Sequence, residues 1–503
     1  MSEADNPRLR GTYAVWELTL KCNLACLHCG SRAADARPAE LTTDQALDVV
    51  LQLKDVGIGE VTLIGGEAYL RPDWLIIARA IFDAGMLCSL TTGGLGITAR
   101  LAERMRDAGI ESVSVSLDGL EPRHDLQRGR KGSFRHALAA IRHLADAGLH
   151  VGCNTQINRL TAPDLPLLYT QIRDAGARAW QLQLTVPMGN AADYAQILLQ
   201  PVELLDVFPM LALIADRARE DGILIQPGNN LGYFGPYERL LRHSRFAGHE
   251  AAATGRNFWQ GCGAGASVLG IESDGTLKGC PSLPTAAYSG GNLKERTMQS
   301  IIRDAPALNF MLDAGEQAAL DQLWGFCREC EFARLCRAGC TWTAHVFFDR
   351  RGNNPYCHHR ALSMARRGRR ERVVLKRQAS GQPFDNGEFE LIEEALDGRW
   401  PEDDPLRFTA DQIRWPAGWN TDPSRIRPHQ QVDSVQSNMA VILGSTRGPS
   451  RDRSGKLPRM GWQSAWALTT ALTDAERSLQ RIEAASDPLY GFRTLQADPR
   501  RQG

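Results

Sequence analysis

Thr19-Leu-Lys-Cys22-Asn-Leu-Ala-Cys26-Leu-His-Cys29 sets three cysteines in a C-x3-C-x2-C run just after a short apolar segment. Three thiolates at that spacing can hold three corners of a cubic four-iron cluster on one loop. The fourth iron is then open to a substrate or cofactor, and thiolate is the ligand such clusters take. Zinc sites favour paired C-x2-C knuckles, and the x3 gap breaks that pattern. The run opens a long alternation of apolar, strand-like segments and amphipathic helical ones. Strands are expected at 13–19, 60–64, 87–91, 112–117, 150–157 and 179–184, with helices near 43–56, 73–84, 98–108, 133–147 and 163–175. Four of those helices stop at Ala-Gly (Gly85, Gly109, Gly148 and Gly176), as a glycine C-cap would. Such repetition implies a parallel sheet with right-handed crossovers. Six units predict an α/β fold, a partial (β/α)6 TIM-like barrel, whose chemistry gathers at the C-terminal ends of the strands.

Those ends carry the polar residues. Gly65-Gly66-Glu67 follows strand two, Thr91-Thr92-Gly93-Gly94 strand three, and Ser116-Leu-Asp118-Gly strand four, with Arg128 a little beyond. Asn154 and Asn158 belong to strand five, Gln181 and Gln183 to strand six. Polar side chains on apolar strands must find partners or line a cavity. Glycines let the backbone approach a ligand, and a carboxylate such as Glu67 suits an ammonium group. No P-loop phosphate cradle is present.

Seven more cysteines follow in one block: Cys262, then Gly275-x4-Cys280, then Cys327-x2-Cys330-x5-Cys336-x3-Cys340, then Cys357. Cys88 and Cys153 remain, each inside an apolar run where a free cysteine packs as a small hydrophobe. A disulfide framework fits poorly in a chain this long without a signal peptide. A zinc ribbon on Cys327-x2-Cys330 is the better alternative, weakened by the unpaired x5 and x3 gaps.

The N-terminal triplet resembles the signature of radical S-adenosylmethionine (SAM) enzymes, with His28 at the aromatic-type position before the last cysteine. The later seven resemble, in order and spacing, the SPASM extension of those enzymes, and the likeness covers about residues 12–365. It implies a [4Fe-4S] cluster on Cys22, Cys26 and Cys29 that binds SAM and cleaves it reductively to a 5′-deoxyadenosyl radical. It implies SAM contacts from Gly65, Gly66, Glu67, Thr92, Ser116, Asp118, Arg128 and Gln183. By position, Cys327, Cys330, Cys336 and Cys357 would hold an outer auxiliary [4Fe-4S] cluster. Cys262, Cys280 and Cys340 would hold an inner one, with an open iron or a fourth ligand that the sequence does not identify.

The implied substrate is a peptide or protein, modified by backbone excision or oxidative side-chain cross-linking. Three departures stand out. Ala68 replaces the family's usual Pro, Gly93 its frequent Asn, and Pro281-Ser282 the Asp that formylglycine-forming members carry after Cys280. Gly279-Cys280-Pro-Ser-Leu-Pro and the Gly228–Tyr237 stretch resemble a peptide-maturase subgroup, the tyramine-excising (Y-X(10)-GDL-associated) spliceases. The resemblance also implies an external electron donor of flavodoxin or ferredoxin type. A separate leader-peptide recognition protein is expected, since no such domain is visible before the first strand. Radical chemistry on a small molecule or carbohydrate, and a non-catalytic iron–sulfur or zinc scaffold, stay open as alternatives. No catalytic base stands out.

The length of 503 residues suggests two to four domains. We expect the barrel over 12–226, a bridge over 227–261 and the SPASM domain over 262–360. A basic helix over 361–379 and a low-hydrophobicity extension over 380–503 would follow. A helix at 202–219 and an aromatic, Gly-rich loop at 228–237 connect barrel and SPASM. The basic helix reads as a solvated face or, less simply, a docking surface for an acidic leader peptide. The extension reads as largely irregular, with short helices near 388–397 and 463–485. Zero formal net charge points to neither nucleic acid nor a membrane surface. No run of about eighteen apolar residues is expected to span a bilayer. Oxygen-labile clusters and many thiols suit a reducing, cytoplasmic setting.

Overall fold

A computed structural model describes residues 13–243, 259, 261–310, 316–402, 404 and 406–426. The helix expected at 463–485 and much of the 227–261 bridge lie outside them.

All six expected strands form: β1 (Tyr13–Glu17), β2 (Glu60–Ile64), β3 (Leu87–Thr92), β4 (Ile110–Ser116), β5 (His150–Ile157) and β6 (Ala179–Leu184). They pair in parallel in sequence order. Two short strands lengthen this set at either side, β7 (Leu224–Pro227) beside β6 and β8 (Val268–Ile271) beside β1. β9 (Thr276–Lys278) and β10 (Ser289–Asn292) then continue antiparallel, giving the order β10-β9-β8-β1-β2-β3-β4-β5-β6-β7. The α/β partial barrel is therefore continuous with the cysteine-rich region through β8. β7 escapes sequence reading because it is four residues long and ends in Pro227, a residue that an edge strand tolerates.

Local chemistry explains the crossovers. Thr42 and Gln45 form a reciprocal capping box on the helix Thr43–Asp55. Gly85, Gly109 and Gly148 sit at φ +83°, +89° and +83° just past their helices, in the left-handed region that lets the chain turn back into a strand. Cys88 and Cys153 are buried in the apolar core, as expected.

The helix expected at 202–219 spans Leu204–Glu220 after a short 3-10 turn. Contrary to the expected absence of such a run, residues 195–220 are long and apolar enough by composition to cross a membrane (mean hydropathy 1.8); the qualifying window is wholly buried. It is a core helix.

Two expectations for the C-terminal region are corrected. Residues 361–379 are not one helix: a helix over His358–Arg366 gives way to a strand, β11 (Arg369–Arg377). Residues 388–397 are not helical but hold β12 (Glu388–Ala395), antiparallel to β11. The cause is cross-strand charge matching. Arg369 faces Glu393, Arg370 and Arg372 share Glu394, and Lys376 faces Glu390 at 2.7 Å. The basic residues thus meet acids of the same chain. Beyond the hairpin, the described residues of 396–426 hold loops, turns and two short 3-10 segments, as the irregular reading expects, but some of them pack on the barrel. Arg159 is clamped between Glu203 and Asp404, Phe408 is fully buried, and Trp419 meets Tyr169 edge-on.

Candidate active site at the cysteine loop

The loop after β1 is pinned by backbone contacts. The N–H groups of Gly66 and Glu67 donate to the carbonyls of Thr19 and Lys21, both at 2.8 Å. A Cβ on Gly65 would lie 2.2 Å from Thr19 O, and one on Gly66 2.3 Å from Lys21 O. The reason for these glycines is therefore visible without any ligand: the β2 loop presses backbone to backbone against the cysteine loop.

Cys22, Cys26 and Cys29 line a cavity of about 310 Å³ at the C-terminal end of the sheet. Gly65, Gly66, Glu67, Thr92, Ser116, Arg128 and Gln183 line the same cavity. Asp118 differs: it is fully buried, and its carboxylate accepts from Arg128 Nε (2.7 Å) and Gln156 N (2.9 Å). Its visible task is to hold Arg128, whose Nη1 lies 3.8 Å from Cys26 Sγ. Asn158, also fully buried, bonds Gln127 and Thr185 and is structural.

The electrostatics follow from burial. Burial pushes the Cys22 thiol up to about 11 and the Cys26 thiol up to about 12, the latter against the pull of Arg128. A coordinated cation offsets that cost and keeps thiolates charged. Burial raises Glu67 to about 7 although Thr92 Oγ1 and Gly93 N donate to it, each at 2.6 Å. Burial disfavours the charged form of Asp118 too, but Arg128, helped by His28 and His124, holds the carboxyl down at about 2. Burial drives His28 down to about 4, so the ring is neutral, and its buried Nδ1 lacks a partner among the described residues. Three soft donors, a cation beside them and an orphaned ring nitrogen fit an iron–sulfur cluster with a polar ligand.

The later cysteines also assemble by group. Cys327, Cys330, Cys336 and Cys357 line one small cavity walled by Tyr233, Phe234, Phe326 and Phe332. Cys262 and Cys280 pack on one apolar cluster, and both are close enough to Cys340 to oppose its ionisation, which burial already pushes up to about 12. Among the described residues no three His, Cys, Asp or Glu side chains converge on one ion-sized point.

Four cavity residues escape sequence reading. Gln156 donates to Gln183 Oε1 at 2.9 Å, and only its alternation with Asn154 on β5 and Asn158 just past its end hints at its side. Met188 and Trp342 meet through an indole N–H to sulfur contact of 2.8 Å. Phe384 reaches the cavity from the β11–β12 turn, beyond the span of the family resemblance.

Comparison with known proteins agrees with this geometry. Residues 16–160 match the radical SAM superfamily model. The chain is 30% identical over 353 residues to an AdoMet-dependent heme synthase of Methanosarcina barkeri, covering 69% of this chain and 96% of the relative (AdoMet is SAM). It is 27% identical over 329 residues to the mycofactocin maturase MftC of Mycobacterium ulcerans, covering 65% of this chain and 82% of that protein. Its fold matches anSMEcpe with bound AdoMet at a TM-score of 0.55 and 16% identity, covering 70% of this chain and 95% of that one. It also matches Streptococcus suis SuiB bound to the precursor peptide SuiA at a TM-score of 0.51 and 15% identity, covering 69% and 74%. With the thiol loop, the strand-end cavity and a relative matched along nearly its whole length, the chain belongs to the radical SAM superfamily.

Proposed function

We propose that this radical SAM enzyme modifies a ribosomally made peptide, with SAM on the polar side of the cavity and the substrate against its apolar side. When bound, the [4Fe-4S] cluster and SAM supply a 5′-deoxyadenosyl radical that takes a hydrogen atom from an unactivated C–H bond, chemistry no side chain offers. Cys22, Cys26 and Cys29 hold the cluster, and Arg128 keeps a positive charge beside Cys26. Glu67, steadied by Thr92 and Gly93, offers a carboxylate for the SAM ammonium. Ser116 and Gln183 complete the polar side. Cys327, Cys330, Cys336 and Cys357 hold an outer auxiliary cluster. Cys262, Cys280 and Cys340 hold an inner one.

The observation that carries the peptide reading is the character of the remaining wall. Val186, Met188, Trp342 and Phe384 are apolar, and Gln156, held by its hydrogen bond to Gln183, offers an amide that matches a peptide backbone. The similarity to a heme synthase favours a second reading, a tetrapyrrole. A heme-type substrate brings propionate carboxylates, which call for cations free to pair with them. Among the described lining residues the permanent cation is Arg128, already on Asp118. Arg32, Arg37 and Lys278 around the mouth face Asp193 and Asp385, Glu17 and Glu272, and Glu272 respectively. That favours a neutral substrate.

The test is anaerobic co-expression with each short peptide encoded beside the gene, followed by mass spectrometry. Loss of a tyramine-sized fragment supports the splicease outcome, and loss of two hydrogens supports a cross-link. Unchanged peptides, together with turnover of an iron porphyrin in vitro, would contradict the peptide reading.

A further inference from the structure

The turn that joins β11 to β12, running from Gln378 to Gly387, is stitched across the mouth of the cavity. Phe384 N–H donates to Gly30 O at 3.1 Å, and Gly189 N–H donates to Asp385 O at 2.8 Å. Asn386 makes an antiparallel bridge with Met188. The Asp385 carboxylate accepts from Arg32 Nε (2.9 Å) and from the N–H groups of Gly381 (2.6 Å) and Gln382 (3.0 Å). One turn thus ties the cysteine loop to the loop after β6. The fit is close: a Cβ on Gly189, at φ +58°, would fall 2.3 Å from Cys29 O.

Phe384 itself sits at φ +59°, a left-handed conformation that strains a bulky side chain and persists only where the surroundings demand it. Its ring lies against Lys278 Nζ, 3.8 Å from the centroid, with Arg37 behind at 5.9 Å, and lines the cavity. The strain therefore aims an aromatic face into the site and screens two cations from it.

We propose that this turn is the lid of the cavity and that Phe384 is its substrate-facing, positioning residue, packing on an apolar group of the substrate and excluding outside hydrogen donors. This rests on the radical reading above. The hairpin gives the turn a firm base: the Gln200 side chain bonds both the N–H and the carbonyl of Val373, Arg360 pairs with Glu371, and Phe389 is buried in the core.

Two measurements on the full-length, cluster-loaded protein test it. The first supplies SAM and dithionite without substrate, in buffer containing perdeuterated 2-propanol, and reads deuterium in the 5′-deoxyadenosine by mass spectrometry. A C–D bond of the alcohol breaks and a C–D bond forms on the nucleoside, and pairs of the resulting alcohol-derived radicals disproportionate to acetone and 2-propanol. Phe384→Ala should raise the deuterated fraction severalfold and Phe384→Met should restore it; equal fractions in all three proteins would overturn the lid. The second reads backbone hydrogen exchange and needs no SAM cleavage. Asp385→Ala removes the carboxylate that anchors the turn to Arg32, Gly381 and Gln382, and the loosened turn should speed exchange at Gly189, whose N–H bonds the Asp385 carbonyl, by at least about fivefold. Unchanged exchange there would overturn the proposal. Absence of 5′-deoxyadenosine from wild type, with exchange responding as expected, would instead count against the radical reading alone.

Discussion

Asp206 lies in the long core helix, 5% exposed, and its Oδ1 has no hydrogen-bond partner among the described residues. Burial raises its carboxyl to about 7; Arg407 pulls the other way, while Glu203 and Asp411 add repulsion. Above about pH 4 the unfolded chain releases this proton, whereas the folded chain keeps it until about pH 7. The folded state therefore binds more protons, and stability falls as pH rises through that window, then levels off. Between pH 6 and 8 the loss from this one group is about 1.4 kcal/mol, which moves Tm by about 3–6 °C for a domain of this size. Asp206→Asn removes the titration. Thermal unfolding of wild type and variant, followed anaerobically at pH 6, 7 and 8, should give curves that diverge with rising pH, the variant the more stable at pH 8. Glu203 and Glu17 are also raised by burial, so the difference between the two proteins is the quantity to read. Parallel curves across that range would mean that burial does not hold Asp206 protonated.

Arg128→Met should cost about 3–5 kcal/mol, because it strands the fully buried Asp118 carboxylate, and adding Asp118→Asn should recover much of it in a denaturant double-mutant cycle. Gly66→Ala should displace the cysteine loop, since its methyl would meet Lys21 O, and elemental analysis should find about four fewer iron atoms per chain. Cys336→Ala should also lower iron by about four atoms while sparing SAM cleavage in the absence of substrate, because its cavity is separate from that of Cys26.

The parts of this protein that are legible in sequence are those decided by near neighbours. The Cys22–Cys26–Cys29 spacing, the Ala-Gly helix stops and the period-two apolar strands each announce themselves within a dozen residues. Gly65-Gly66 is legible as a motif, but its reason, backbone contact with Thr19 and Lys21, belongs to a loop far back along the chain. β11 reads as a basic helix because the carboxylates that neutralise it, Glu388 to Glu394, arrive only after the turn. β8 is too short to declare itself and exists because β1 offers it an edge. Phe384 carries no signal at all: an aromatic residue in a Gln-Pro-Phe-Asp turn gains meaning only when Gly30, Met188 and Lys278 surround it.

The central claim is that the three thiols of the first loop hold the cluster at which SAM is cleaved. Its most direct test is chromatographic quantification of 5′-deoxyadenosine from anaerobically reconstituted protein with SAM and dithionite, wild type beside Cys26→Ala. Wild type should form 5′-deoxyadenosine steadily and the variant none above background, even though it retains its later cysteines; equal formation by both proteins would rule out the thiol loop as the site of cleavage.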